Sequence, residues 1–162
     1  MDQSGGISIV GLPADFDQWG DLLALIRRAF AYMDGVIDPP SSAHRMTAEN
    51  LRRKARQETA FLAVENGRIV GCVFALERAN DFYVGKLAVE PGIQGRGIGG
   101  LLMLAVEDFA RKRGKDAIEL QTRIELTANH AAFARFGFRE TERTAHDGYD
   151  RPTSVTMRKV LS

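Results

Sequence analysis

The sequence FYVGKLAVEPGIQGRGIGGLL, residues 82–102, decides how the rest of the chain is interpreted. Its first part, residues 82–89, is apolar and β-prone and predicts a strand. A Pro-Gly break and a glycine-rich loop follow, and a helical pattern runs from Leu101 onward. Because glycine has no Cβ, such a loop can turn backbone N–H groups inward, and the helix start adds unpaired N–H groups and a positive dipole end. With the mobile charge of Arg96, this order predicts a diphosphate site.

Two kinds of diphosphate ligand fit this loop. The glycines at 95, 97 and 100 match the Gly-x-Gly-x-x-Gly fingerprint of dinucleotide sites, and Glu119 lies about twenty residues further on, as that fingerprint requires. The same segment, written Gln94-x-x-Gly97-x-Gly99 after residues 87–89 (Leu-Ala-Val), closely resembles the pyrophosphate-binding motif of the GNAT acyltransferases, which bind acetyl-CoA. The remainder of the chain has to decide between the two.

Composition indicates an ordinary globular protein. The chain has 162 residues, 44% hydrophobic and 27% charged, so we expect one domain over residues 1–162 with a core of its own. The 22 basic residues nearly balance the 21 acidic ones, which gives no reason to expect nucleic acid or a membrane as a partner. Cys72 is the only cysteine, so an internal disulfide and metal–cysteine clusters are excluded, and we expect no metal.

The start of the chain carries no recognisable targeting signal. Residues 1–6 have neither a basic flank nor an apolar signal core, and no apolar run is long enough to span a bilayer. We therefore expect a cytoplasmic protein.

Hydrophobic periodicity predicts the element order β-α-α-β-β-β-α-β-α-β-β. Helices are expected after caps at Asp15 or Asp17, Thr47 and Thr127, and after the glycine loop. Asn66-Gly67 is a strong hairpin signal. The strands are expected at residues 7–12, 59–64, 68–76, 82–89, 117–122, 138–144 and 154–160. The core face of the helix after the loop is expected to contain Ile98, Leu101, Leu102, Ala105 and Phe109.

The place of the glycine loop in this order favours the acyltransferase interpretation. A dinucleotide fold is built from successive βαβ units with its loop after the first strand, whereas here two helices and a hairpin come first. The order instead resembles the GNAT fold over nearly the whole chain. This resemblance implies an α/β (α+β) fold with a mixed, mostly antiparallel sheet and about four helices. In that family the CoA-binding strand and its neighbour splay apart to admit pantetheine.

The resemblance also implies an activity, namely transfer of an acetyl group from acetyl-CoA to a primary amine by direct attack in a ternary complex. Backbone N–H groups near Val89 would hold and polarise the acyl carbonyl. The acceptor would be a small amine or a peptide or protein amine, and a homodimer stays open. The expected cofactor-binding residues are Leu87, Ala88, Val89, Gln94, Gly95, Arg96, Gly97, Ile98, Gly99, Gly100, Asn129 and Phe133.

The catalytic groups are harder to assign. Residues 129–138 resemble the family's helix ending in Gly-Phe, but Phe133 stands where a tyrosine commonly protonates the departing CoA thiolate, and His130 matches a histidine of some members. Glu119 is a candidate base, although a charge at the sheet surface or a pair with an arginine also explains it. Further candidates, each equally a turn or surface residue, are Tyr83, Tyr149, His146 and Asp150. Tyr83 and Tyr149 are the first choices for an acid.

Two segments are expected to flank the acceptor, the connector 31–42 and the turn 145–152. Tyr32, Asp34 and Asp38 of the connector are the candidate substrate residues, although a packed connector explains the segment equally well. Because phenylalanine cannot donate a proton, a non-catalytic acyl-CoA-binding sensor is the alternative function. A dinucleotide-binding enzyme is the third.

Overall fold

The computed structural model describes residues 6–162, and the expectation about a targeting signal falls mainly on residues 1–5, outside that range. The predicted element order is confirmed. The strands are β1 Ser8–Gly11, β2 Thr59–Glu65, β3 Arg68–Glu77, β4 Asp81–Val89, β5 Ala117–Arg123, β6 Arg139–Thr144 and β7 Ser154–Val160. The helices are α1 Trp19–Phe30, α2 Ala48–Gln57, α3 Ile98–Lys112 and α4 Thr127–Arg135. No helix within the described range is long and apolar enough to cross a membrane.

The seven strands form one sheet in the order β1-β2-β3-β4-β5-β7-β6. All neighbours pair antiparallel except β4 and β5, which are parallel. The hairpin between β2 and β3 turns at Asn66 and Gly67, which have φ values of 51° and 76°, as a tight turn with two left-handed residues requires. The mixed, mostly antiparallel fold is therefore confirmed. The dinucleotide interpretation is wrong, because that fold needs a parallel doubly wound sheet.

Each face of the sheet carries its own core. On β3, Val73 and Ala75 contact the core beneath α3, whereas Cys72 and Phe74 contact the core beneath α1 and α2, as the two-residue period of a strand dictates. Cys72 is fully buried, and burial raises the pKa of its thiol to about 12. Cys72 is therefore a core residue.

The helix caps were predicted with mixed success. Thr47 caps α2 in a reciprocal capping box with Asn50. Neither Asp15 nor Asp17 caps α1, because that helix begins after Gln18, whose side chain makes no cap hydrogen bond. Thr127 is the first residue of α4 rather than its cap.

The predicted core face of α3 was partly wrong. The helix begins at Ile98, inside the glycine motif, three residues before the predicted start. Leu101 is 40% exposed, because α3 lies on the sheet through a face rotated from the predicted one. The fully buried positions of that face include Leu102, Met103 and Val106.

Candidate active site

A gap opens in the middle of the sheet where β4 and β5 separate. The two strands pair only from 81 with 117 to 84 with 120. Beyond these pairs β4 continues to Val89 against β3 alone, so its edge towards β5 meets no strand. Buried backbone N–H and C=O groups need partners, and an extended ligand inserted in the gap could supply them as an additional strand does. The separation of two strands that the family resemblance implies is therefore present between β4 and β5.

A β-bulge lies beside this gap. Gly85 pairs with Phe74 and Ala88 with Cys72, which leaves two residues of β4 opposite one of β3. Lys86, within the bulge, has a φ of 50°, a backbone conformation that is uncommon for residues other than glycine. Such strained residues concentrate at functional sites.

A cleft of about 500 Å³ lies over the gap. Its walls come from the segment between α1 and α2, the splayed parts of β4 and β5, and α4. Asn129 Nδ2 donates to Tyr32 Oη at 3.0 Å and so joins two of these walls. A second pocket, of about 540 Å³ between Pro13, Trp19 and Arg56, adjoins neither the gap nor the glycine loop. The predicted site residues that line the cleft are Tyr32, Tyr83, Leu87, Asn129, Phe133 and His146.

The glycine loop forms the start of α3. Gly95 and Gly97 have φ values of 90° and 79°, which require glycine, and Gly97 precedes the helix without any side-chain cap. The first N–H groups of α3 are therefore available to an anion. A Cβ at Gly99 would meet only the Val89 side chain, at 3.9 Å, so the absence of a side chain there serves no packing need. The loop fits a diphosphate.

Arg96 is not the freely mobile charge that the sequence suggested. Its guanidinium pairs with both carboxylate oxygens of Glu65, at 2.8 and 3.3 Å, and this pair lowers the pKa of Glu65. The pairing could not be predicted, because Glu65 lies at the end of β2, far along the chain. Gln94 Nε2, at 3.4 Å from the Val89 carbonyl, links the loop to the end of β4.

An unpaired hydroxyl in the gap points to the donor substrate. Thr122 lies two residues beyond Leu120, the last β5 residue paired with β4. It lines the cleft, is 7% exposed, and its Oγ1 is buried without a hydrogen-bond partner among the described residues. A buried unpaired hydroxyl costs about 1–3 kcal/mol, and an amide of pantetheine would remove that cost. The open strand edge, this hydroxyl and the glycine loop together fit acyl-CoA.

Glu119 is not available as a base in this arrangement. Its carboxylate accepts from Arg78 at 3.0 Å and from Arg158 at 3.1 Å, and it does not line the cleft. It lies within the paired part of β4 and β5, opposite Tyr83. The arginine pair that the sequence allowed is thus the arrangement observed.

Tyr83 and Tyr149 occupy different positions. Tyr83 lines the cleft, and burial, followed by the nearby charge of Glu119, raises the pKa of its phenol. Tyr149 lies at the rim and donates to Asp38 Oδ1 at 2.6 Å, a bond that raises the pKa of Tyr149. Arg151 also pairs with Asp38, at 3.1 Å, so the connector and the turn meet at this point.

Two further candidates are held in other contacts. Asp34 pairs with His44 at 2.7 Å, both exposed and outside the cleft. His130 Nε2 lies 2.8 Å from the Arg123 carbonyl and does not line the cleft. Sequence reasoning missed Lys86 and Arg123, which do line it. The sequence feature that could have identified Lys86 is a charged residue next to a glycine inside an otherwise apolar strand.

His146 combines a cleft position with an adjusted pKa. Burial, then the charge of Arg123, lowers the pKa of its imidazole. Its Nδ1 contacts Thr153 Oγ1, which also accepts the His146 backbone N–H at 2.9 Å. Within residues 6–162, no group of three or more histidine, cysteine, aspartate or glutamate side chains is placed to hold a metal ion.

Comparison with known proteins supports the acetyltransferase interpretation. A sequence model of the acetyltransferase (GNAT) family matches residues 19–138. An IAA acetyltransferase of Azospirillum brasilense is 29% identical over 143 residues, which cover 86% of this chain and 90% of that protein. An uncharacterised N-acetyltransferase of Methanocaldococcus jannaschii is 32% identical over 95 residues, which are 54% of this chain and only 42% of that protein.

The fold is shared with solved structures. The PaiA N-acetyltransferase of Thermoplasma acidophilum, in complex with coenzyme A, superposes with a TM-score of 0.81. The superposition covers 96% of this chain and 99% of that chain, at 18% sequence identity.

Proposed function

Because the chain belongs to the GNAT acetyltransferase family, whose activity is acyl transfer from acetyl-CoA, we propose that it acetylates a primary amine by direct attack in a ternary complex. The observation that carries this proposal is the gap between β4 and β5, with the glycine loop at one end and the cleft over it. A thioester held in the gap would meet an amine held in the cleft. No acyl-enzyme is then needed, and the buried Cys72 is not used.

The donor would be held mainly by backbone groups. We assign the diphosphate to the N–H groups of residues 95–100 and the pantetheine arm to the free edge of residues 87–89 and to Thr122 Oγ1. Backbone N–H groups near Val89 would polarise the acyl carbonyl. Asn129 and Phe133 would form the opposite wall of the arm's path.

We propose His146 as the general base, in place of Glu119. With the Thr153 hydroxyl proton directed at the Thr144 carbonyl, 3.5 Å away, Nδ1 donates to Thr153 and Nε2 keeps its lone pair. The lowered pKa supports a neutral imidazole at pH 7. An amine substrate arrives as an ammonium, and Nε2, directly or through water, would take its proton.

Tyr83 is the proposed proton donor to the leaving group. A phenol is protonated at neutral pH, and that of Tyr83 lines the cleft, whereas Tyr149 is bonded to Asp38 at the rim. The demand on this acid is small, because a thiol with a pKa of about 8.5 is a fair leaving group at neutral pH. We therefore expect Tyr83→Phe to lower kcat less than loss of His146 does.

A CoA-release assay over a panel of primary amines tests the proposal. His146→Gln is expected to lower kcat/KM by about 10²–10⁴-fold and to remove the acidic limb of its pH profile. His44→Gln, which changes an exposed histidine outside the cleft, is the matched control and should change neither. If acetyl-CoA binds but no amine in the panel releases CoA, the sensor alternative favoured by Phe133 replaces catalysis.

The remaining sequence-based expectations stay predictions. These are a single domain, a cytoplasmic location and the roles of Asp34 and Asp38 in acceptor binding. Homodimer formation stays open.

A further inference from the structure

We propose that the acceptor carries an anionic group, a carboxylate or a phosphate, besides its amine, and that this group binds the cleft cations, defined as Arg45, Lys86 and Arg123. The inference rests on the proposed function, because it concerns the substrate of that same reaction. It narrows a range of acceptors that the nearly balanced charge of the whole chain leaves open.

The charge of the cleft is one-sided although that of the chain is not. Four cationic side chains line it, the three cleft cations and Lys54. Among the residues that the structure describes, no aspartate or glutamate lines it. A concave site with charges of one sign concentrates ligands of the opposite sign.

Two of the cleft cations, Lys86 and Arg123, are bonded to neutral groups rather than to carboxylates. Lys86 Nζ donates to Ser42 Oγ at 2.8 Å. Arg123 donates to the carbonyls of Pro39 and Pro40. Over residues 6–162, none of the three forms a salt bridge.

Two of the carboxylates whose charges act on the cleft cations are paired with other groups. Glu58 pairs with Lys54 at 2.8 Å, which neutralises the fourth cation of the cleft. Asp38 pairs with Arg151 and accepts from Tyr149. One oxygen of Glu125 accepts from the Asp38 backbone at 3.2 Å, and the other is buried without a hydrogen-bond partner among the described residues, so Glu125 acts on Arg123 through its charge alone. The positive charge at Lys86 is therefore left for a ligand to balance.

Lys86 shows the cost of this arrangement. Burial, followed by the charges of Lys54, Arg123 and Arg45, lowers the pKa of its ammonium. Its backbone also holds the left-handed conformation of the bulge. A half-buried cation surrounded by other cations destabilises the protein unless an anion accompanies it. A bound carboxylate or phosphate would supply that anion.

The cleft cations are on the wrong side of the sheet to serve the diphosphate of the donor. Lys86 contacts Ser42, in the segment after α1, and its ammonium lies 5.9 Å from the centre of the Phe30 ring. That segment lies on the α1–α2 face of the sheet, whereas the glycine loop begins α3 on the other face. The cations are therefore assigned to the acceptor.

Matched acceptors test the proposal at saturating acetyl-CoA. Tyrosine is compared with tyrosinamide and tyramine, glutamate with glutamine, and O-phosphoethanolamine with ethanolamine, with rates expressed per unprotonated amine. Because a charge-assisted hydrogen bond contributes about 1.5–3 kcal/mol, the anionic member should have a kcat/KM about 10–100-fold higher. The carboxylate and phosphate pairs distinguish the two kinds of anion.

Variants test whether the cleft cations are responsible. Lys86→Gln and Arg45→Gln should each raise KM for the anionic acceptor about tenfold or more, with little change for its neutral partner or for acetyl-CoA. Arg53→Gln, an exposed charge on α2 outside the cleft, is the control and should leave the preference unchanged. Lys86→Glu should reverse the preference towards tyramine.

The outcomes separate this inference from the proposed function. Equal kcat/KM for anionic and neutral partners overturns the inference while acetyl transfer stands. If no amine is acetylated although acetyl-CoA binds, Tm of the CoA-bound protein is measured with tyrosine and with tyrosinamide. The inference is supported if Tm rises with tyrosine but not with tyrosinamide and if Lys86→Gln abolishes this rise. It is overturned if tyrosine gives no such rise. Failure to bind acetyl-CoA overturns both proposals.

Discussion

At the scale of the residue, Asp81 is the carboxylate held most closely by arginines. Its side chain is 10% exposed, and Arg78 donates to both of its oxygens, at 2.7 and 2.8 Å. Arg158 donates at 2.7 Å. The hydrogen bonds to Arg78, with a further contribution from Arg158, lower the pKa of Asp81. Because the pKa is lower in the folded protein than in the unfolded chain, this carboxylate stabilises the fold above the unfolded value and less so as pH falls.

We therefore predict that Asp81→Asn flattens the acid side of the stability profile. In the native protein the free energy of unfolding should decline below about pH 4–5, as the carboxylate becomes protonated. The variant should lose about 2–4 kcal/mol at pH 7, because two arginines lose their shared partner, and should decline less on acidification. Urea unfolding at several pH values measures both effects. Asp108→Asn, an exposed carboxylate, serves as the control.

Phe133 gives a second prediction at this scale. Its ring packs edge-on against Phe138, with centroids 5.9 Å apart, and lines the cleft. Since leucine removes no proton donor, Phe133→Leu should lower kcat by no more than about tenfold, the effect of a modest packing error. A folded variant with normal acetyl-CoA binding and a kcat reduced about a thousandfold would contradict the packing role. Phe133→Tyr tests whether an added hydroxyl increases turnover.

The limits of sequence reasoning are visible in single residues. Glu119 and Arg96 were both singled out from the sequence, but their partners lie elsewhere along the chain, on β7 and β2 among other places. An ion pair between distant positions depends on strand register, which periodicity does not give. Lys86 could have been noticed as a charged residue within an apolar strand. The side of the sheet to which its side chain points, however, depends on the bulge.

At the scale of the element, the start of α3 provides the most direct test of cofactor binding. Gly99→Val should weaken acetyl-CoA binding by about 100-fold or more, because the side chain would occupy the approach of the diphosphate. Helix stability should not suffer, since glycine is a poorer helix former than valine and the site is open. Titration calorimetry measures the affinity and thermal unfolding the stability.

Gly20→Val is the matched control for this prediction. Gly20 also lies in the first turn of a helix with open space around it, but α1 carries no loop motif. The Gly20→Val variant should bind acetyl-CoA with the same affinity as the unmodified protein. If a folded Gly99→Val variant binds acetyl-CoA with unchanged affinity, this loop does not bind the diphosphate.

Elements were predicted better than their orientation. The hairpin at Asn66 and Gly67, for example, follows from local backbone preferences. The side of α3 that faces the sheet, by contrast, depends on where the helix starts. The glycines concealed that start, because they carry no apolar pattern.

At the scale of the whole molecule, the two parts of the sheet meet over a short stretch. Strands β1 to β4 form one part and β5, β7 and β6 the other, joined by the pairs from 81 with 117 to 84 with 120. The element order by itself did not predict which strands would separate. That prediction came from the family resemblance. Their point of separation is a property of two strands distant in sequence, which no local pattern encodes.

Bound CoA should tie the two parts together. We predict that CoA at about 100 times its Kd stabilises the protein by about 2.7 kcal/mol, whereas NAD does not. Amide exchange should slow most in residues 85–89 and 121–123, where the ligand replaces missing strand partners. Exchange mass spectrometry with and without CoA measures this. Protection spread evenly over β1 and β6 instead would argue against binding in the gap.

The short parallel junction between β4 and β5 also determines how the molecule should respond to mechanical load. An optical trap attached to β1 and β6, at opposite edges of the sheet, pulls directly across this junction. A few backbone bonds would carry the force there, whereas the antiparallel ladders on either side share it over more residues. The first rupture should part the sheet into its four-stranded and three-stranded pieces, and CoA should raise the force at which this happens.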